Sequence, residues 1–307
     1  MFGQIVVGPP GSGKSTYCNG MLQFLSAVGR KCCIVNLDPA AEYQSYSSCA
    51  LDIRDLASSE KIMRENNLGP NGALLYALEC IDGATLDRFI NTVANLNKAG
   101  NYLIFDCPGQ VELFTHQHSL FRIFHKLVSK FDARLCVVSL VDSIYLTSAS
   151  QYISITLLCL RSMLQLGLPQ VNVISKIDKL KEYGSLALPL DFYAAGEDLH
   201  LLNPYIALES KSQLGRNFTR LTELVGEVVE NFGLIRYDVL SIEDKSSMIN
   251  LLEKIDKSNG YVFGTNEIGG DTVWQEAVHN GRRIGDEPTL QERWIDQKEH
   301  FDGLQYK

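Results

Sequence analysis

A glycine-rich motif near the N-terminus constrains this chain more than any other feature. Residues 8–15 read Gly-Pro-Pro-Gly-Ser-Gly-Lys-Ser and fit GxxxxGK[ST], directly after an apolar run at Gln4–Val7 and before a segment with helical spacing. In that strand, loop and helix context the loop amides cradle phosphates, and the helix N-terminus adds its positive dipole end. A chance glycine turn is the alternative, which the complete motif disfavours. The motif therefore predicts a nucleoside triphosphate site.

Backbone chemistry and side-chain type assign roles within this loop. Pro9 and Pro10 have no N–H group, so the amide donors must come from the residues that follow. We expect Lys14 to reach the β- and γ-phosphates and Ser15 to coordinate Mg²⁺. The predicted phosphate-binding residues are Gly11, Ser12, Gly13, Lys14, Ser15 and Thr16.

The rest of the chain predicts an α/β fold. Helical spacing alternates with β-rich runs at Gln4–Val7, Cys32–Leu37, Tyr102–Asp106, Leu135–Asp142, Val171–Ser175 and Ile235–Leu240. Such alternation predicts a mainly parallel central sheet flanked by helices, and together with the phosphate loop it predicts a P-loop NTPase. We expect one nucleotide-binding domain over residues 1–264, with helical insertions at about 43–100 and about 184–216. Residues 265–307 are predicted to form a polar, loosely ordered extension, in which Trp274 and Trp294 stand isolated among charged residues.

Composition excludes several classes of protein. The 28 Lys and Arg residues against 36 Asp and Glu residues give a net charge of −8, which argues against a basic nucleic-acid-binding face. No apolar run approaches the ~18–20 residues of a membrane span. The eight cysteines contain no CxxC pair or zinc-like spacing, which favours a reducing, intracellular setting.

A second motif predicts metal and γ-phosphate contacts. The apolar run Leu103-Ile104-Phe105 ends in Asp106 and continues as Cys107-Pro108-Gly109-Gln110, the pattern of a Walker B strand that enters a γ-phosphate sensor. We expect Asp106 to hold Mg²⁺ through water and the Gly109 amide to face the γ-phosphate. Gln110 and Glu112 follow where a residue that orients the attacking water would be useful.

Asp38, in the segment Asn36-Leu37-Asp38-Pro39-Ala40, ends the second predicted strand. Pro39 holds Asp38 extended at the sheet edge where ligands bind in such folds. Asp38 is therefore a candidate for the outer shell of the metal or for the nucleophilic water. A plain Asp-Pro turn explains the same spacing equally well.

A third motif addresses the base. Val171–Ser175 leads into Lys176-Ile177-Asp178, and a carboxylate there can accept hydrogen bonds from N1–H and the 2-amino group of guanine. Adenine offers no such pair, so the pattern favours GTP over ATP. We expect the stem of Lys176 to pack along the base and a backbone amide near Ser241 to meet the guanine oxygen. Ser175 stands where Asn is usual, which weakens the argument from spacing.

Taken together with Gly69-Pro70-Asn71, these motifs closely resemble the GPN-loop GTPase family. The resemblance covers GPPGSGKSTYC, NLDPAAE, DCPGQVEL and SKID, in collinear order over residues 3–264. Segments at 181–184, 242–245 and 256–261 further resemble one paralogue group within that family. The residues after Gly264 match nothing in it.

The resemblance implies a GTP hydrolase that cleaves the β–γ phosphoanhydride bond, with GTP/GDP and Mg²⁺ as cofactors. It implies a homodimer, or a heterodimer with GPN-loop GTPase paralogues, in which Gly69, Pro70 and Asn71 enter the active site of the other chain. Asn71 would lie near the γ-phosphate and attacking water there. The family's role implies RNA polymerase II subunits as partners, in assembly and nuclear import of polymerase II and of polymerase III. We expect a cytoplasmic protein that shuttles to the nucleus, with no membrane or direct nucleic-acid contact.

Two other classes of function stay open at this point. A small-molecule P-loop kinase shares the phosphate loop, but kinases need an arginine-rich lid, and residues 184–216 supply only Arg216. A nucleotide-dependent scaffold with negligible turnover would carry the same phosphate-binding residues, so the sequence does not separate it from a GTPase.

Overall fold

A parallel sheet organises the protein. The computed structural model describes residues 1–41, 46, 49–209, 213–261 and 289–305. Its seven strands lie in the order β3-β2-β4-β1-β5-β6-β7, and every neighbouring pair is parallel. The strands are β1 Phe2–Val7, β2 Cys32–Asn36, β3 Leu51–Asp52, β4 Tyr102–Asp106, β5 Arg134–Asp142, β6 Gln170–Ser175 and β7 Tyr237–Val239.

Helices cover both faces of this sheet. In the first half of the chain they are α1 Lys14–Ala27, α2 Ser59–Asn66, α3 Pro70–Glu79, α4 Gly83–Lys98, α5 Glu112–Thr115 and α6 Ser119–Phe131. In the second half they are α7 Ala149–Leu166, α8 Leu180–Tyr183, α9 Leu190–Ala195, α10 Asn203–Glu209, α11 Gln213–Phe232, α12 Lys245–Asn259 and α13 Lys298–Gln305. The predicted fold class, a mainly parallel sheet flanked by helices, is confirmed.

The two predicted excursions contain mostly helix. The segment at 43–100 holds α2, α3 and α4, and also the two-residue strand β3, which the sequence did not predict. The segment at 184–216 holds α9, α10 and the start of α11. Residues 42–45, 47–48 and 210–212 of these segments lie outside the described residues.

Strand β1 lies at the centre of the sheet, and its position creates the site. Ile5, Val6 and Val7 are fully buried, because helices cover β1 on both faces. β1 pairs with β4 on one side and with β5 on the other, so the direction of strand succession reverses there. Ligands of open α/β sheets bind at the carboxyl ends of strands at such a point.

The end of the chain differs from the sequence prediction. Residues 289–305 fold back on the domain as a single π-helical turn at Glu292–Asp296 followed by α13. Trp294 is buried in a core cluster that includes residues of α7 and α9, so the prediction of a loosely ordered tail with an isolated Trp294 is wrong for this stretch. Apolar burial of one large ring outweighs the polar composition around it. Trp274 and residues 265–288 lie outside the described residues.

Within the described ranges, none of the helices combines the length and the apolar character needed to cross a membrane.

Candidate nucleotide site

The phosphate loop takes the conformation that its glycines permit. Gly13 ends the loop in the left-handed region with φ 88° and caps α1. Side chains rarely adopt that φ, which explains the glycine in the motif. A Cβ on Gly8 would lie 2.3 Å from the carbonyl oxygen of Leu140, so close packing against β5 also requires glycine there. The loop therefore turns directly from β1 into α1, as the sequence predicted.

Lys14 lies folded over this loop. Its Nζ donates hydrogen bonds to the carbonyl oxygens of Gly8, at 3.0 Å, and of Pro9, at 3.1 Å. Burial lowers the pKa of Lys14, while the nearby carboxylates of Asp106 and Asp38 act in the opposite direction. The predicted phosphate, metal and water residues thus share one electrostatic environment.

Asp106 and Ser15 meet at the carboxyl end of β4. Burial raises the pKa of Asp106, and hydrogen bonds from Tyr46 and Ser15 oppose that shift. The hydroxyl of Tyr46 donates to Asp106 Oδ2 at 2.7 Å and to Asn36 Oδ1 at 3.1 Å. A carboxylate beside a hydroxyl is the oxygen donor set that Mg²⁺ prefers. The sequence did not predict Tyr46, because no local motif marks it.

Asp38 follows β2, accepts a hydrogen bond within its own turn and lies in the electrostatic environment of Lys14. Asp38 Oδ1 accepts a hydrogen bond from the Ala40 amide at 2.9 Å, and the Asp38 amide donates to Asn36 Oδ1 at 2.9 Å. Burial raises the pKa of Asp38, and Lys14 lowers it. The structure therefore contains both features between which the sequence did not decide, an Asp-Pro turn and a carboxylate close to the phosphate lysine.

The segment after β4 approaches the phosphate loop closely. A Cβ on Gly109 would lie 2.9 Å from Lys14 Nζ and 3.2 Å from Pro10 Cα, so the Gly109 backbone borders the predicted phosphate loop. Gln110 Oε1 is buried and has no hydrogen-bond partner among the described residues. Glu112 begins α5 with an exposed side chain.

The Gly69-Pro70-Asn71 loop begins helix α3. Gly69 is the N-cap and Pro70 is the first helical residue, a position where its missing N–H group costs nothing. All three residues are exposed. Asn71 Oδ1 accepts a hydrogen bond from Gln110 Nε2 of the same chain at 2.8 Å. The loop therefore lies at the open edge of this chain's own site.

A cavity of about 240 Å³ beside the phosphate loop collects the predicted base-binding residues. Its lining includes Ser12, Gly13, Thr16, Ser175, Lys176, Asp178 and Ser241. The Ser175 hydroxyl donates to the Ser12 carbonyl oxygen at 2.8 Å, so the serine that replaces the usual Asn still ties this loop to the phosphate loop. Lys176 Nζ donates to the carbonyl oxygen of Gly11 at 2.5 Å.

Two features of this cavity escaped the sequence reading. Asp142, which ends β5, holds Lys176 through a contact of 2.6 Å between Oδ2 and Nζ. The strand-terminal position of Asp142 was a signal for a role at the site, but nothing local linked it to Lys176. We expected a backbone amide near Ser241 to donate a hydrogen bond to guanine. The Ser241 amide instead donates to Ser247 Oγ at 3.3 Å.

Comparison with known proteins shows the family to which this chain belongs. A family model described as a conserved hypothetical ATP binding protein matches residues 6–261. GPN-loop GTPase 2 of Saccharomyces cerevisiae is 55% identical over 302 residues, which cover 98% of this chain and 86% of that protein. GPN-loop GTPase 2 of Schizosaccharomyces pombe is 45% identical over 306 residues, which cover 100% of this chain and 95% of that protein. This chain belongs to the GPN-loop GTPase family.

These matches confirm the predicted family and the predicted class of enzyme, a GTP hydrolase. Both relatives carry the type-two name, the paralogue group that segments 181–184, 242–245 and 256–261 resemble. A GTPase from Pyrococcus abyssi, solved in its apo form, aligns with a TM-score of 0.64 at 24% identity, over 84% of this chain and 97% of that chain. That likeness shows the shared fold.

Proposed function

We propose that this GPN-loop GTPase binds GTP with Mg²⁺ at the carboxyl end of β1 and hydrolyses it as a dimer. The observation that carries the proposed hydrolysis is Gln110, whose Oε1 is buried without a partner among the described residues while its Nε2 donates a hydrogen bond to Asn71 Oδ1. A buried acceptor of this kind is costly unless a ligand or water satisfies it. Gln110 directly follows Gly109, whose backbone lies close to Lys14. We therefore propose that the water that attacks the γ-phosphate donates a hydrogen bond to Gln110 Oε1.

Positioning and electrostatics would supply the catalysis. Lys14 and the amides of residues 11–16 would bind the phosphates, and the Gly109 amide would sense the γ-phosphate. Ser15 and Asp106 would hold Mg²⁺, whose charge would offset the negative charge that develops on the phosphate oxygens. Asp38, Gln110 and Glu112 would orient the water.

Guanine selectivity would come from Asp178, whose half-buried side chain lines the cavity of about 240 Å³ beside the phosphate loop, which we call the base cavity. The description of the family model names ATP, whereas the relatives are named GTPases. Adenine would leave the Asp178 carboxylate without the paired donors that guanine offers, so chemistry favours GTP. Because the Ser241 amide is directed to Ser247, we propose the neighbouring amides of Ile242 and Glu243 as donors to the guanine oxygen.

We further propose that the loop of Gly69, Pro70 and Asn71 acts in trans, on the site of the other chain of a homodimer or of a heterodimer with a paralogue. The exposure of the loop supports this, since a partner can reach it. In the single chain Asn71 contacts the chain's own Gln110, so Asn71 would have to exchange this contact for one across the dimer.

Mixed dimers test this arrangement. Lys14→Ala should not bind GTP, and Asn71→Ala should bind it but hydrolyse it slowly. If Asn71 acts in trans, mixing the two variants restores single-turnover hydrolysis, because the Lys14→Ala chain supplies Asn71 to the intact phosphate loop of the other. The matched control is a chain that carries both substitutions, which should restore nothing. No recovery in the mixture would show that Asn71 acts within its own chain.

Full hydrolysis by Asn71→Ala alone would instead remove Asn71 from catalysis. Absent turnover by wild-type protein and every paralogue mixture would favour the scaffold. The kinase alternative receives no support, since the exposed Arg216 on α11 is not among the residues that line the base cavity.

The cellular role that we propose is assembly and nuclear import of RNA polymerase II, and of polymerase III. The family resemblance supports it, and the net charge of −8 suits a protein partner better than nucleic acid. The protein would then be cytoplasmic and shuttle to the nucleus. Depletion of the protein should leave newly made polymerase II subunits in the cytoplasm, as followed by fluorescence microscopy, and normal nuclear import after depletion would contradict the proposal.

A further inference from the structure

The C-terminal segment of residues 289–305 packs against the base-recognition side of the site. Asp191, in α9, accepts hydrogen bonds from the amides of Leu290, at 3.0 Å, and Gln291, at 3.1 Å. Gln291 Oε1 in turn accepts from the amide of Leu190 at 2.9 Å. With Trp294 buried in the core, these bonds anchor the segment at its start.

Two cations of this anchored segment reach the loops after β6 and β7, both of which contribute residues to the lining of the base cavity. Lys298 Nζ donates a hydrogen bond to the main-chain carbonyl oxygen of Asp178 at 2.6 Å, in the loop after β6. Arg293 donates to Asp244 Oδ1 at 3.1 Å, in the loop after β7. The segment thereby spans both loops from outside the cavity.

Several contacts fix the position of the Arg293 guanidinium beside Asp244. The guanidinium lies over the Trp294 ring, 4.4 Å from the centroid, and also donates to Asp302 Oδ1 at 3.0 Å. The side chains of Arg293 and Asp244 are only 14% and 6% exposed, so solvent screens their attraction much less than that of a surface pair. The other carboxylate oxygen of Asp244 accepts from the Ser247 amide at 2.7 Å and caps α12. A rigid Asp244 fixes the turn of residues 241–243 that faces the base.

The Lys298 contact acts on the residue that reads guanine. Its bond to the main-chain carbonyl leaves the Asp178 carboxylate open to the cavity, and it fixes the peptide from which that carboxylate projects. A displacement of about 1 Å in such a group weakens recognition that depends on paired hydrogen bonds.

We infer that residues 289–305 are part of the guanine site, with Arg293 and Lys298 as positioning residues for the two base-recognition loops. This inference rests on the proposed function. Because coupling between two binding events is reciprocal, guanine nucleotide and docked segment stabilise each other. Its contacts with the site, from Arg293 to Asp244 and from Lys298 to Asp178, are with the base-recognition loops, so we expect it to act on nucleotide affinity and base selectivity rather than on cleavage.

Three variants of the full chain test the inference. Lys298→Met and Arg293→Met remove the two contacts, and Arg236→Met is the matched control, since Arg236 pairs with Glu197 where the side chains are 78% and 61% exposed. Titration calorimetry measures Kd for GDP and for inosine diphosphate, which lacks the 2-amino group. We expect each test variant to raise the Kd for GDP about 3–10-fold, the worth of one lost hydrogen bond, and to lower the preference for GDP over inosine diphosphate. The control should leave both unchanged.

Three further measurements separate positioning from general loss of structure. Lys298→Arg keeps a donor and should restore most of the affinity, and single-turnover hydrolysis at saturating GTP should match wild type in all variants. Addition of GDP to wild-type protein should slow hydrogen exchange in residues 289–305, a readout that needs no substitution.

Unchanged Kd values in both test variants, an equal loss in Arg236→Met, or unaltered exchange on GDP addition would overturn the inference while the proposed function stands. Wild-type protein that binds no guanine nucleotide would refute the proposed function as well.

Discussion

Replacing Asp142 by asparagine removes the charge that holds Lys176 beside the base cavity. The two groups are 2.6 Å apart, with side chains 31% exposed for Lys176 and 12% for Asp142. A buried hydrogen bond between charged groups is worth about 1.5–3 kcal/mol and an exposed ion pair about 0.2–1 kcal/mol. At this intermediate exposure, and with a neutral hydrogen bond still possible, we expect the substitution to cost about 1 kcal/mol in the placement of Lys176. That free energy corresponds to a roughly fivefold rise in the Kd for GDP.

The same substitution should leave the fold intact, which separates binding from stability. Asp142 Oδ1 also accepts a hydrogen bond from the Ile144 amide at 3.1 Å and caps the short 3₁₀ helix at Ser143–Thr147. Asparagine caps a helix as well as aspartate does, whereas Asp142→Ala also loses about 1 kcal/mol of stability with the cap. Calorimetric titration with GDP and thermal melting without nucleotide measure the two effects.

Asp238→Asn is the control for this experiment. It removes the ion pair of Asp238 with Lys254, whose side chain is more than half exposed, away from the base cavity. We expect it to change neither the Kd for GDP nor hydrolysis. An unchanged Kd in Asp142→Asn, or the same rise in Asp238→Asn, would refute the reasoning that Asp142 orients Lys176.

Two further substitutions address the phosphate end of the site. Gly109→Ala places a methyl group 2.9 Å from Lys14 Nζ, which costs about 1–3 kcal/mol of overpacking. We expect this substitution to weaken the binding of a GTP analogue about tenfold more than the binding of GDP. Equal changes in Kd for the two nucleotides would contradict this prediction. Burial raises the pKa of Asp106, so its carboxyl group binds a proton more readily in the folded chain than in the unfolded chain. The stability of the nucleotide-free protein should therefore fall as the pH rises from the ordinary pKa of aspartate to the raised pKa of Asp106. Asp106→Asn should therefore raise the melting temperature near neutral pH, flatten its pH dependence and abolish Mg²⁺-dependent GTP binding, and an unaltered pH profile would count against this account.

Local patterns carried most of the fold prediction. Of the seven strands in the described part of the chain, six correspond to apolar runs in the sequence, since strands buried on both faces require continuous apolar residues. Strand β3 has only two residues, Leu51 and Asp52, and owes its pairing to β2 rather than to its own composition. The burial of Trp294 was not foreseen for a related reason, because most residues near it in sequence are polar, whereas the core cluster that contains it is built from distant elements that include α7 and α9.

By itself, the sequence determined the fold class and the family, and it predicted the chemistry of the site. The phosphate loop, Asp106-Cys107-Pro108-Gly109 and Lys176-Ile177-Asp178 each act through short-range geometry, in which residue type and spacing fix the available donors and acceptors. Only the tertiary structure decided what surrounds them. Asn71 meets Gln110 across 39 positions of sequence, and Lys298 meets Asp178 across 120. Such contacts arise because packing of the sheet and helices brings distant segments together, and no local spacing encodes that packing.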